Sequence, residues 1–160
     1  MKTINLFFLI FLLLGLTNCN KDENENIGSK LNFCANGDIT NVVVSYKEIV
    51  GYDSTKYIFR IKESAWDKLK NEITPVTPDP HFGFSVTLDN QIIYTAKYVP
   101  GYYSASNDDI ITFMLLEPDL VYITLGYPPC PACFTGEDSR NDKRVINQLQ
   151  ADNKLIEIED

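Results

Sequence analysis

Between Phe84 and Tyr98 the chain alternates apolar and polar residues in two runs around one polar pair, and no other stretch restricts the fold as much. Phe84, Val86 and Leu88 share one face, Asp89-Asn90 is turn chemistry, and Ile92, Tyr94, Ala96 and Tyr98 alternate back. A period of two, broken by residues that tolerate positive φ, predicts an antiparallel hairpin. Pro100-Gly101 ends it. Two further strands are predicted from Ile110 to Leu116 and from Leu120 to Tyr127, joined by Glu117-Pro118-Asp119. Upstream, Val42 to Tyr46 and Lys56 to Ile61 are rich in β-branched and aromatic residues. With Gly51-Tyr52-Asp53-Ser54 read as a turn between them, they form an earlier hairpin.

Two stretches carry helical spacing. Trp66, Leu69 and Ile73 recur at intervals of three and four after Ser64, and Pro75, Pro78 and Pro80 then force an extended loop. Ser139 can cap a second helix, with Asp142 in its first turn and Val145, Ile146 and Leu149 as its buried stripe. Asn153 can end it in a left-handed conformation, and Lys154 to Ile158 reads as a closing strand. The order β-β-α-β-β-β-β-α-β predicts an α+β fold, an antiparallel sheet built from hairpins with two helices packed on one face.

The N-terminus follows other rules. Met1-Lys2 is a positive start, and Leu6 to Leu14 is an unbroken apolar run. That run is well short of the roughly 18–20 residues needed to span a bilayer, so it reads as a secretory signal. Its exit, Leu16-Thr17-Asn18-Cys19, resembles a bacterial lipobox. The resemblance implies removal of residues 1–18 and attachment of acyl chains such as palmitate at Cys19, an anchor that needs no transmembrane helix. Lys21, Asp22 and Glu23 resemble the export signal that sends some lipoproteins to the outer face of the outer membrane. Residues 19–30 are charged, rich in Asn and nearly devoid of apolar side chains, which reads as a tether. Residues 31–160 then form a single domain, of a size that supports one core. Tyr98 to Ser106, Leu125-Gly126-Tyr127-Pro128 and Asp138-Ser139-Arg140-Asn141-Asp142 are similar to stretches of small bacterial envelope lipoproteins. That likeness implies the class and carries no activity with it.

Charge removes some partners. The chain has 22 acidic against 14 basic residues, a net charge of −8, and Lys2 leaves with the leader. Nucleic-acid binding needs clustered Lys and Arg and is not expected. The expected membrane contact is the covalent lipid, not the protein surface.

Past the leader, three cysteines remain, Cys34, Cys130 and Cys133. In an oxidising envelope two of them can pair, and spacing alone leaves the pairing open. Cys130 and Cys133 are the candidate disulfide. In Cys130-Pro131-Ala132-Cys133 they also have the spacing of a thiol-disulfide oxidoreductase. No βαβ pattern precedes them, and the helix predicted from Ser139 starts too late to lower a thiol pKa. Cys34, Cys130, Cys133 and His81 have a zinc ligand count but lack two close pairs, so no metal is expected. His81, the lone histidine, sits in a Pro-rich loop without a nucleophile motif. The acid clusters Asn107-Asp108-Asp109 and Glu137-Asp138 offer oxygen ligands for calcium, yet neither has EF-hand spacing. Tyr102 and Tyr103, beside small polar residues, form a candidate ligand loop for a glycan or protein, since Tyr offers contact area at low entropic cost.

No catalytic residue and no cofactor emerge. The expectation is a membrane-anchored envelope lipoprotein with a non-catalytic binding domain. The alternatives are an oxidoreductase working through Cys130 and Cys133, or an inhibitor of a secreted enzyme.

Overall fold

The computed structural model describes residues 31–73, 82–100 and 106–159. The lipidation and export residues Cys19, Lys21, Asp22 and Glu23, the Pro75–His81 stretch, and Tyr102 and Tyr103 lie outside them. The elements are β1 (Asn32–Ala35), β2 (Val42–Val44), β3 (Ile49–Asp53), β4 (Ile58–Ile61), α1 (Glu63–Ile73), β5 (Gly83–Leu88), β6 (Gln91–Tyr98), β7 (Asn107–Glu117), β8 (Leu120–Tyr127) and α2 (Lys143–Ala151). The strands form one sheet in the order β2-β1-β5-β6-β7-β8-β4-β3. Every pairing is antiparallel except β6 with β7, so the α+β class holds with a mixed sheet where an all-antiparallel one was expected.

The central hairpin forms as its alternation predicts. Phe84 pairs with Ala96 and Val86 with Tyr94. Asp89 and Asn90 take φ of 50° and 64°, the doubly left-handed turn whose twist suits paired strands. The turn between β7 and β8 has a single left-handed residue, Asp119 at φ 64°.

The earlier hairpin does not form between the two predicted strands. β2 pairs with β1, a strand that the sequence did not signal because its four residues alternate nothing. Gly51 to Asp53 belong to β3, which pairs with β4. The turn falls instead on residues 54–57, with Tyr57 at φ 58°. Tyr52 is fully buried and stacks on Phe59 at 4.2 Å, and that packing favours strand over turn. Gly51 serves contact: a Cβ there would lie 2.6 Å from the Ile156 side chain. The strand predicted to reach Tyr46 stops at Val44, and residues 46–48 form a 3-10 turn.

The second helix is capped by Asp142, whose side chain accepts from the Arg144 N–H, and not by Ser139. Its stripe packs as expected, with Val145 and Leu149 buried and Ile146 packed against the core, and Asn153 adopts φ 54°. The closing segment makes one parallel bridge beside β3. Tyr52 N–H donates to Lys154 O at 2.8 Å and Ile156 N–H to Tyr52 O at 3.0 Å.

The sheet curls strongly. Phe33 on β1 and Phe59 on β4 are five strands apart in the order, yet their rings are 5.0 Å apart, edge to face. A flat sheet would separate them by ~24 Å. Only residues 45–48 join the two edge strands, which holds those edges near each other. The concave side is filled by aromatics: Phe33 stacks on Phe84 at 4.5 Å, and Phe84 meets Phe113 at 4.5 Å. Ala65, Leu69 and Ile73 of α1, and Val145 and Leu149 of α2, belong to the same buried cluster. Glu48 ties α1 to the edge connection through Lys68 Nζ at 2.7 Å and Ser45 N–H at 2.9 Å. Burial would raise its carboxyl, but these donors outweigh burial and hold it down at about 2.

Candidate functional site

Beyond β8 the chain makes a cis Tyr127–Pro128 bond and enters a short 3-10 turn, Pro131–Cys133. Cys130 and Cys133 are bonded there, with S–S 2.00 Å and Cα–Cα 5.2 Å, and Cys34 is a free, buried thiol. Pro131, Ala132 and Cys133 are exposed, while Cys130 is half-buried.

The loop after the disulfide is fastened to the sheet at several points. Thr135 N–H donates to Asp108 O at 2.8 Å, and Phe134 packs against the core. Gly136 approaches β7 so closely that a Cβ would lie 2.8 Å from Asp109 O. Arg140 is the deepest anchor, only 5% exposed. Its Nε and Nη2 each reach an Asp138 carboxylate oxygen at 2.8 Å, a bidentate fork. The guanidinium lies 3.5 Å from the Tyr57 ring centroid, and Nη1 donates to Ile123 O at 3.2 Å. The hydrogen bond from Arg140 keeps the Asp138 carboxyl below its ordinary value. Asn141 Nδ2 donates to Ser54 O at 3.0 Å, and the Tyr52 hydroxyl lies 3.1 Å from Arg140 O. Burying an arginine is tolerable here because its donors face a carboxylate, a carbonyl and an aromatic face.

The segment between the disulfide and the second acid cluster is tied to the first only through backbone, by the Thr135 N–H to Asp108 O bond. Asp108 and Asp109 sit in β7, not on a flexible loop, and Asp138 is held by Arg140. Among the described residues no group of three or more metal-ligating side chains occurs.

The convex face of the sheet carries a second set of side chains, hydroxyls that are mostly buried. Where one face carries Phe84 and Val86, the other carries Ser85 and Thr87. Ser85 and Thr95 hydroxyls are 2.7 Å apart across β5 and β6, as are Thr112 and Thr124 across β7 and β8. Thr112 also donates to Gly126 O at 2.9 Å, and Thr87 to Asn32 O at 3.3 Å. Cys34 Sγ lies 3.6 Å from Thr87 Oγ1. Lys97 pairs in register with Gly83 and Thr112 and is exposed. The signal lay in the polar half of the same alternation that identified the hairpin.

One polar group on the concave side is unmatched. The Tyr94 hydroxyl is buried without a hydrogen-bond partner, and burial pushes its pKa well up.

Comparison with protein-family models, with curated proteins and with solved structures gives no match for this chain.

Proposed function

We propose that this chain is a lipid-anchored lipoprotein of the bacterial outer membrane whose folded domain binds a protein or glycan and catalyses no reaction. One observation carries the reading: the short apolar run Leu6 to Leu14 ends at Leu16-Thr17-Asn18-Cys19, where a lipobox would place the acylated cysteine. Lys21, Asp22 and Glu23 support export to the outer surface. No helix among the described residues is long and apolar enough to cross a membrane, so an anchor at Cys19 would supply the attachment.

The binding half of the reading is supported by how the domain uses its polar groups. Arg140 and Asp138, Lys68 and Glu48, and Arg144 and Asp142 satisfy one another, an arrangement that shapes surfaces and is not aimed at a reacting atom. On this reading both helices cover the concave face of the sheet. The support is that Ala65, Leu69, Val145 and Leu149 share a cluster with Phe33, Phe84, Phe113 and Phe59. The disulfide loop and the exposed part of the convex face around Thr95 and Lys97 then remain for a partner.

Growth of the native host with radiolabelled palmitate tests the anchor. Label is expected on the wild-type chain in the outer-membrane fraction and absent from Cys19→Ala. Equal labelling of both, or a soluble unlabelled wild type, refutes the reading.

A further inference from the structure

The Cys130–Cys133 bond sits in an exposed turn of the anchored loop, between two sets of other contacts. On one side Cys130 N–H donates to Leu125 O at 3.2 Å, continuing from β8. On the other, Phe134 packs on the core, Thr135 bonds to Asp108, and Arg140 clamps Asp138. Cys133 N–H also donates to Cys130 O at 2.9 Å, so the turn itself has a backbone bond. Both flanks of the disulfide are thus fixed by contacts that do not involve its sulfurs.

From this geometry we infer that Cys130–Cys133 is a surface redox site, opened by an external dithiol and closed again by an external disulfide while the domain stays folded. The inference concerns the domain alone and does not rest on the lipid anchor. A thiolate of the dithiol attacks Cys133 Sγ, the sulfur of the more exposed residue. The S–S bond breaks, its electron pair passes to Cys130 Sγ, and that sulfur takes a proton. The second thiol of the reductant then attacks its own sulfur in the mixed disulfide and releases Cys133 as a thiol. Two electrons and two protons have moved to the protein, and the dithiol has become a cyclic disulfide.

A third thiol in the same fold usually endangers such a site by capturing one of its sulfurs. Here Cys34 lies on β1, four strands from β8 in the sheet order. It is 1% exposed and sits 3.6 Å from both Ile39 O and Thr87 Oγ1. Burial raises its pKa, the Thr87 hydrogen bond opposes this only in part, and the thiol stays protonated and unreactive. Cys34 is therefore a built-in reporter of unfolding.

The test uses the full chain with graded dithiothreitol, followed by N-ethylmaleimide and peptide mapping, so that Cys19 is read separately. Alkylation of Cys130 and Cys133 is expected together, with Cys34 unlabelled and the circular dichroism spectrum unchanged. Labelling of Cys34 at the same dithiothreitol concentration overturns the inference, as does a pair that resists reduction until denaturant is added. The double substitution Cys130→Ser with Cys133→Ser gives a second reading. It should unfold cooperatively and keep Cys34 protected, and labelling of Cys34 in the native double variant would equally overturn the claim.

Discussion

On the concave side of the sheet Phe33, Phe84 and Phe113 touch ring to ring, while one residue along each strand, on the convex side, stand Cys34, Ser85 and Thr112. The same backbone supports both sets, since successive side chains leave a strand on opposite faces. The concave side gains stability from area, and it tolerates one unpaired hydroxyl, that of Tyr94. The convex side gains little from area. Ser85, Thr87 and Thr112 are buried there, and each is joined to a neighbour by a hydrogen bond. Apolar contacts are forgiving of direction, whereas a buried hydroxyl must find its partner or cost stability.

Substitutions separate the two faces. Phe84→Ala should have the largest effect, a loss of about 3–5 kcal/mol in urea unfolding, because it deletes the ring between Phe33 and Phe113. A loss below ~1 kcal/mol would mean that the aromatic row is not the core.

Acidification comes next and acts at the margins of both faces. Glu48 is held at about 2 against an ordinary 4.5. Burial would raise Asp53, but bonds from Thr55, Ile158 and Lys56 hold it at about 2 against 3.8. Groups lowered in the folded state stabilise it above their ordinary values, and that contribution fades as pH falls toward about 2. The unfolding midpoint should therefore be level above pH ~5 and decline below it. In Asp53→Asn the decline should be shallower. An identical pH profile for the variant would remove Asp53 from the account.

Gly51→Ala forces a methyl group against Ile156 and should cost about 1–3 kcal/mol. Restoring room with Ile156→Ala should recover part of that loss, and failure to recover would place the strain elsewhere. Thr112→Val keeps shape but removes the bonds to the Thr124 hydroxyl and Gly126 O, leaving only the long Thr124–Gly126 O bond of 3.5 Å, for a loss of about 1 kcal/mol. The smallest effect has the opposite sign. Tyr94→Phe removes an unmatched buried hydroxyl and should leave stability unchanged or raise it by up to ~1 kcal/mol. A clear destabilisation would show that this hydroxyl has a partner after all.

The sequence by itself determined the β5–β6 hairpin, the stripe of α2 and the left-handed stop at Asn153, because each depends on neighbours within a few residues. Alternation, helical spacing and turn chemistry are local, and they survive being read one residue at a time. Only the tertiary structure decided that β1 joins the sheet between β2 and β5, that β6 and β7 run parallel, and that Tyr52 lies in a strand. It also decided that Arg140 would find Asp138, Tyr57 and Ile123 O together. Those outcomes depend on which distant surfaces meet when the sheet curls. A partner 17 residues away, like Ile123 for Arg140, leaves no mark in the local pattern.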